Sequence, residues 1–360
     1  MGSAATVIRP RAGDFPAGRA ALPRGPGAWP LAALLLLVAA CGAPAAPGPP
    51  AGTAPPLERL VSGAGTATSF GTTFPRHVAA YLGYFAEEGL DVQVVITGGD
   101  ANTLAGLIGG DVHIAEALGT DGLVLADARG QDFYAVGGYL NALNYSLMTA
   151  PGITSAAALR GGTVPVARPG DTTDRYARAA LRYLGLDPDQ DVAMVAAQSS
   201  PERTRSLVAG YFQGALIGRS ENAFVRAHGG TELVDLRDLY PDYANRVIAV
   251  SGSMLAERPG AVKGFVKAMI RAYRWLLEPG HRAEAAEIVR WADLTVDYFD
   301  EAYDDLVRGL PPDGAVSTRG LAVVVQDLQA SGQIPADFTP ERVLRLGPLQ
   351  EAQRELGIAQ

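Results

Sequence analysis

The chain has 360 residues, 48% of them hydrophobic, with 30 basic against 38 acidic side chains and a formal net charge of -8. That length favours two compact units over one, the composition excludes a disordered or collagen-like chain, and an acidic chain without a basic block is a poor partner for nucleic acid. One cysteine excludes a disulfide framework, and His77, His113, His228 and His281 are scattered away from metal-ligand spacing, so no metal or cofactor is expected.

In chain order, Arg9, Arg11, Arg19 and Arg24 precede an apolar run over 31–40 that ends at Cys41. This is the layout of a signal peptide, 1–40, and the run is about half the roughly 20 residues a spanning helix needs. Val38, Ala39 and Ala40 before Cys41 and Gly42 resemble a bacterial lipobox. The resemblance implies cleavage before Cys41, a diacylglycerol on its sulfur, and a chain anchored on the extracytoplasmic face of the membrane. Residues 43–56 are Ala, Pro, Gly and Thr only and read as an extended tether, because they have too little apolar surface to offset ordering entropy.

Short apolar runs then alternate with helical periodicity. Strands are expected at 59–64, 91–96, 112–115, 133–137, 163–167, 193–197, 213–217 and 247–250. Helices are expected at 75–85, where Val78, Tyr81, Leu82 and Phe85 share a face, and at 172–184. This alternation implies an α/β fold of parallel sheets with helices on their faces. From Pro259 only helices follow: 259–277, closed by Pro279 and Gly280, then 281–291, 295–307, 317–330 and 340–355. Residues 107–115 and 207–215 echo each other, each a helix end closed by glycine and followed by a small apolar strand.

Residues 75–95 carry the sharpest motif. Gly83, Tyr84 and Phe85, then Glu87 and Glu88, then Gly89, Leu90, Asp91 and Val92, with Gly98 and Gly99 beyond, resemble the solute-binding proteins of ABC importers in the nitrate, sulfonate, taurine and thiamine-precursor group. Segments at 110–115, 154–162, 184–187 and 259–277 extend the likeness over most of 58–355, although His113 and Gln213 stand where that family has aspartate. The resemblance implies a two-lobed periplasmic-binding-protein-like fold (type II), each lobe a sheet flanked by helices, with extra C-terminal helices. Lobe 1 would hold 57–142 plus 247–360 and lobe 2 148–243, with a hinge near 143–147 and 244–246.

Ligands in open α/β lobes sit beyond the carboxyl ends of the strands, at helix amino termini, and this selects the candidates. Thr72, Thr73 and Phe74 read as a loop before a helix opened by Pro75, either touching ligand or capping the helix over a core phenylalanine. Asp100 either caps its helix or meets ligand. Glu116 follows an apolar strand and must be paired, by ligand or by a nearby arginine. Tyr139, Asn141, Asn144 and Tyr145 precede or occupy the hinge, where amides either bind ligand or satisfy crossing backbone. Thr172 and Thr173, between Asp171 and Asp174, open a helix, as an anion or hydroxyl contact or an ordinary cap, and Arg219 with Glu221 follows a strand; Arg76 and Arg219 read as contacts for a sulfonate or carboxylate, or as surface charges.

Asp100, Glu116, Asp121, Asp171, Asp174 and Glu221 outnumber Arg76 and Arg219 in these segments. Such acidic lining disfavours a bare inorganic anion and suits an aminopyrimidine-like heterocycle or an aminosulfonate such as taurine, with the aromatics favouring a flat ring. The expected function is capture of a small polar ligand by a monomeric chain and its delivery to an ABC permease and its ATPase, without catalysis. A fold-sharing enzyme of pyrimidine or thiamine-precursor metabolism and a surface sensory lipoprotein are the alternatives.

Overall fold

Among the described residues the strands are, in chain order, β1 Val7–Ile8, β2 Glu58–Ala64, β3 Leu90–Ile96, β4 Ile114–Gly119, β5 Phe133–Leu140, β6 Tyr145–Thr149, β7 Gly162–Val166, β8 Val192–Ala196, β9 Gly214–Gly218, β10 Glu232–Asp235 and β11 Arg246–Ser251. The computed structural model describes residues 7–8, 56–65, 70–170, 172–197 and 199–358. The rest of the expected signal segment, Cys41, Asp171 and the tether up to Pro55 lie outside these residues. From Leu57 onward the chain clusters as one compact unit. Among the described residues no helix is long and apolar enough to cross a membrane.

The first sheet has the order β1-β3-β2-β4-β11-β5. β2 runs parallel to β3 and β4, whereas β11 is antiparallel to both β4 and β5. The carboxyl ends of β2, β3, β4 and β5 therefore share one edge with the start of β11, where Arg246 lies opposite both Gly119 and Leu140. The remaining strands form a three-stranded sheet, β10-β6-β9, antiparallel throughout, and a parallel pair, β7-β8. The sheets are therefore mixed rather than parallel as the alternation implied, because the chain that returns at β11 and the short connections around β6 reverse strand direction. The backbone passes from the first sheet to the second at 141–144 and returns over 236–245.

Apolar spacing explains most elements. The helix Pro259–Leu277 forms over the expected residues and buries Val262, Phe265, Val266, Met269, Ile270 and Tyr273. Its Phe265 stacks on Phe85 with ring centroids 5.1 Å apart. The echo between 107–115 and 207–215 is structural. The side chain of His113 accepts the Val61 N–H at 3.0 Å, and that of Gln213 accepts the Thr163 N–H at 2.8 Å. Their own amides donate to the carbonyls of the same two residues. Each thus ties the residue before its own strand, β4 or β9, to a neighbouring strand, β2 or β7, an acceptor's task that does not require aspartate.

Several boundaries differ from the sequence reading. The first helix is Phe70–Tyr81, with Pro75 inside it. Proline cannot donate to the carbonyl four residues back, so that of Gly71 lacks its helical partner. Tyr145–Thr149, read as connecting chain, is a strand at the centre of its sheet. The expected helix over 340–355 is a 3-10 turn, Pro340–Val343, and a separate helix, Gly347–Glu355.

The helix Thr318–Ala330 lies against the returning pass. A Cβ on Gly320 would stand 2.3 Å from the Ala244 nitrogen and 2.5 Å from the Tyr243 carbonyl carbon. Both are backbone, so neither yields cheaply. Gly320→Ala is expected to destabilise the fold by about 1–3 kcal/mol in chemical denaturation, whereas Gly260→Ala, which meets open space, is expected to leave stability unchanged or slightly raised.

Candidate functional site

The two passes meet at one buried side chain. Asn245 is 3% exposed, and its amide donates to the Ala142 carbonyl at 3.0 Å and to Asn144 Oδ1 at 2.9 Å. Its backbone N–H donates to Leu140, and its carbonyl accepts from the N–H of Thr120. The end of β5, the start of β6, the start of β11 and the amino terminus of the helix Thr120–Ala128 are therefore held together.

On one side lies a cavity of about 250 Å³, open mouth included, lined by Gly71, Leu140, Asn144, Arg219, Ser220 and Asp305 among others. Its interior is narrow, with room for about one water. On the other side stand Thr120, Tyr145, Tyr176 and Arg246. Arg246 Nη1 donates to both oxygens of Asp100 at 3.0 Å and to the Ala117 carbonyl at 3.1 Å. Burial works against its charge, yet the Asp100 carboxylate and Tyr145 hold its pKa above the ordinary arginine value. Gly119 permits this pairing, because its N–H donates to Asp100 and a Cβ there would fall 2.5 Å from Asp100 Oδ2.

The predicted candidates divide sharply. Thr72, Thr73 and Phe74 lie within the first helix rather than in a loop. Phe74 is fully buried and stacks on Phe70 at 4.6 Å, so it belongs to the core. Tyr139 is also fully buried, donating to the Thr72 carbonyl. Glu116 is paired with Arg76 at 2.8 Å and accepts from Ser62 at 2.9 Å; burial pushes its carboxyl up against the pull of Arg76. The arginine pairing holds, and removing Glu116 would strand a buried guanidinium at a cost of about 3–5 kcal/mol. Asn141 spends both ends of its amide on Ala315 and Ser317. Thr173 accepts from the Ala167 N–H, and Thr172 is the first residue of its helix. Arg219 is neither a surface charge nor an open anion contact, because its guanidinium meets Ser146, Glu232, Asp235 and Asp305. Of the candidates, Asn144 and Arg219 line the cavity and Asp100 backs Arg246.

Most of the acidic lining is engaged among the described residues. Asp121 pairs with Arg175, Asp174 with Arg178, and Glu221 accepts hydroxyls from Ser200 and Thr204. With Asp100 and Glu116 paired as well, excess negative charge no longer argues for a cationic ligand. The Asp121–Arg175 pair also joins the helix after β4 to the helix after β7, and the Asp305–Arg219 pair joins the helix Phe299–Val307 to the end of β9.

Thr120, Tyr176, Asn245, Arg246 and Asp305 were not singled out in the sequence. The Thr120 hydroxyl and Arg246 Nε are buried without a hydrogen-bond partner among the described residues, and the Tyr176 hydroxyl makes no well-formed hydrogen bond, with only the Tyr243 phenol beside it. Burial and the adjacent Tyr243 raise the Tyr176 phenol well above its usual range, so it stays a donor.

Comparison with known proteins fits this geometry. A family model described as "NMT1/THI5 like" matches residues 73–283. The chain belongs to that family. It is 24% identical over 147 residues, 37% of the chain, to the nitrate/nitrite binding protein NrtA of Nostoc sp. strain PCC 7120; the match spans only 33% of that protein. The structure superposes on the periplasmic aliphatic sulphonate binding protein SsuA of Escherichia coli with a TM-score of 0.60 at 15% identity, covering 81% of this chain and 92% of that one. It superposes on the desulfurization enzyme DSZB with a TM-score of 0.63 at 16% identity, covering 83% and 99%. The fold is therefore the expected periplasmic-binding-protein-like α/β fold, and it is one that also houses an enzyme.

Beneath the site, His77 is 6% exposed and its Nε2 lies 3.2 Å from Arg76 Nη2. A guanidinium only donates, so Nε2 accepts and the proton sits on Nδ1. Burial, then Arg76, lowers the His77 pKa from 6.5 to about 3. Above pH 6.5 the ring is neutral in both folded and unfolded chains. Below it the unfolded chain binds a proton that the folded chain refuses, so stability falls as pH drops toward 3. Between pH 7 and 5 this amounts to about 2 kcal/mol, and His77→Gln is expected to remove that part of the slope from denaturation curves measured across the range.

Proposed function

We propose that the chain is an exported solute-binding protein that captures a small polar organic ligand and hands it to an ABC-type import permease driven by its ATPase. In this reading 57–142 plus 247–360 form one lobe and 148–243 the other, and the two passes at 141–144 and 236–245 are the hinge. Cys41 carries the lipid anchor, residues 43–56 hold the lobes off the membrane, and the chain acts as a monomer. The observation that carries the reading is the gathering of buried polar groups with few or no partners, from the β4–β11 edge of the first sheet and from the helix after β7, near the passes between the sheets. A protein that only had to be stable would have little reason to keep them.

In this conformation the cavity admits about one water, so ligand enters only when the lobes part. The Asp121–Arg175 and Asp305–Arg219 pairs then exchange partners with solvent, and binding repays that cost on closure. Membership of the NMT1/THI5-like family and the likeness to NrtA and SsuA support capture of a small solute. Pairing of the carboxylates removes the ground for preferring an aminopyrimidine and leaves an aminosulfonate such as taurine in play.

A thermal-shift panel of pyrimidines, taurine, alkylsulfonates, nitrate and polyamines tests the reading. One class is expected to stabilise the chain by about 2.7 kcal/mol at 100 times its dissociation constant and to be recovered unchanged by mass spectrometry. Turnover of a panel member would point to an enzyme instead, and silence across the panel would contradict solute capture. Cys41→Ser is expected to move the exported chain from the detergent to the aqueous phase in detergent partitioning.

A further inference from the structure

We propose that Arg246, Thr120 and Tyr176 form a seat for the oxyanion end of the ligand, an organic carboxylate or sulfonate; this deepens the binding reading above and rests on it. Four buried side-chain polar atoms make no well-formed hydrogen bond among the described residues. Three belong to these residues, each able to donate a hydrogen bond; Thr120 and Arg246 Nε have nothing to donate to, and Tyr176 has only a weak contact with the Tyr243 phenol. The fourth, Asn222 Oδ1, is an acceptor on a side chain that donates to Ser146 and Glu232.

The three share one place. Gly119, the residue before Thr120, lies opposite Arg246 in the β4–β11 register, and the Thr120 N–H donates to Asn245. Tyr145 links the other two: its hydroxyl is 3.5 Å from Arg246 Nη2, and its ring centroid is 5.8 Å from that of Tyr176. Tyr176 comes from the helix Thr172–Tyr183, which follows the β7 strand, whereas Thr120 and Arg246 come from the first sheet. An occupant would therefore touch both sides.

The guanidinium decides the chemistry. Nη1 is committed to Asp100 and Ala117, and this commitment fixes the plane of the group. What remains is the edge formed by Nε, which has no partner, and Nη2, whose one contact is at 3.5 Å. That edge presents two parallel N–H bonds, the pattern that grips two oxygens of a carboxylate or sulfonate. The nearby carboxylates do not oppose it: Asp100 is spent on Arg246 and the Gly119 N–H, and Asp121 on Arg175 and Tyr243. Tyr145, Tyr176, Tyr240 and Tyr243 pack against one another beside the seat, and their rings suit the apolar body of an organic anion better than a bare inorganic one.

The test is calorimetric titration of the full chain with paired probes: ethanesulfonate against ethanol, taurine against ethanolamine, and benzoate against benzamide. At least one anion is expected to bind, with its neutral or cationic counterpart at least tenfold weaker. Tyr176→Phe and Thr120→Val, which delete a hydroxyl and keep the shape, are each expected to weaken that anion about tenfold. Thr120→Val should not lower the unfolding midpoint of the free protein, because an unpartnered buried hydroxyl contributes nothing to stability, and Tyr176→Phe should lower it only slightly, since it removes no more than the weak contact with Tyr243. Lowered midpoints with unchanged affinity would assign the hydroxyls a structural role and overturn the seat. Equal binding of the counterparts, or anion binding that survives both substitutions, would also overturn it while leaving solute capture intact. No binding by any probe here or in the wider panel would overturn both.

Discussion

Two lengths of backbone must pass between the sheets, and their polar groups are shielded from water there. Buried N–H and C=O groups need partners, and the side chain of Asn245 with the backbone on either side of it supplies them. It ties the end of β5 to the start of β6 and holds the amino terminus of the helix Thr120–Ala128 against β11. Arg246 is the next residue, so the constraint that closes the crossing also aims the guanidinium. Asp100, drawn close by Gly119, then determines which edge of it is left over.

Much of the fold was legible because it is written in local pattern. The stripe from Val262 to Leu277 and its flanking prolines give one helix at its observed ends, and turn glycines mark most strands to within two residues. What failed was context. Pro75 has the look of a helix opener, yet the helix begins five residues earlier, since burial of Phe70 and Phe74 outweighs the lost hydrogen bond. Tyr145–Thr149 is short and contains Ser146, so nothing local shows that it sits between two other strands.

The site was less legible for a related reason. Polar residues at strand ends can be picked out by position, but whether they are already engaged depends on partners far along the chain. Glu116 meets Arg76 at a separation of 40 residues and Asp100 meets Arg246 at 146. A count of charges in cleft-facing segments therefore gave an acidic lining that pairing largely cancels. The informative residues are those left with few or no partners, a property that exists only after folding. Buried pairs such as Arg76–Glu116 contribute little net stability over an apolar core, whereas they hold the helix Phe70–Tyr81, which borders the cavity, in one place against β4.

The central claim is that the two sets of sheets move about the crossing and close on a ligand. Spin labels at positions 108 and 211, where Ile108 and Tyr211 are exposed on opposite sides of the crossing, in a Cys41→Ser background, allow pulsed dipolar measurement of the distance between them. The account predicts a broad distribution without ligand that narrows and shortens when a ligand from the panel is added. Identical distributions with and without a ligand whose binding has been shown by calorimetry would contradict it.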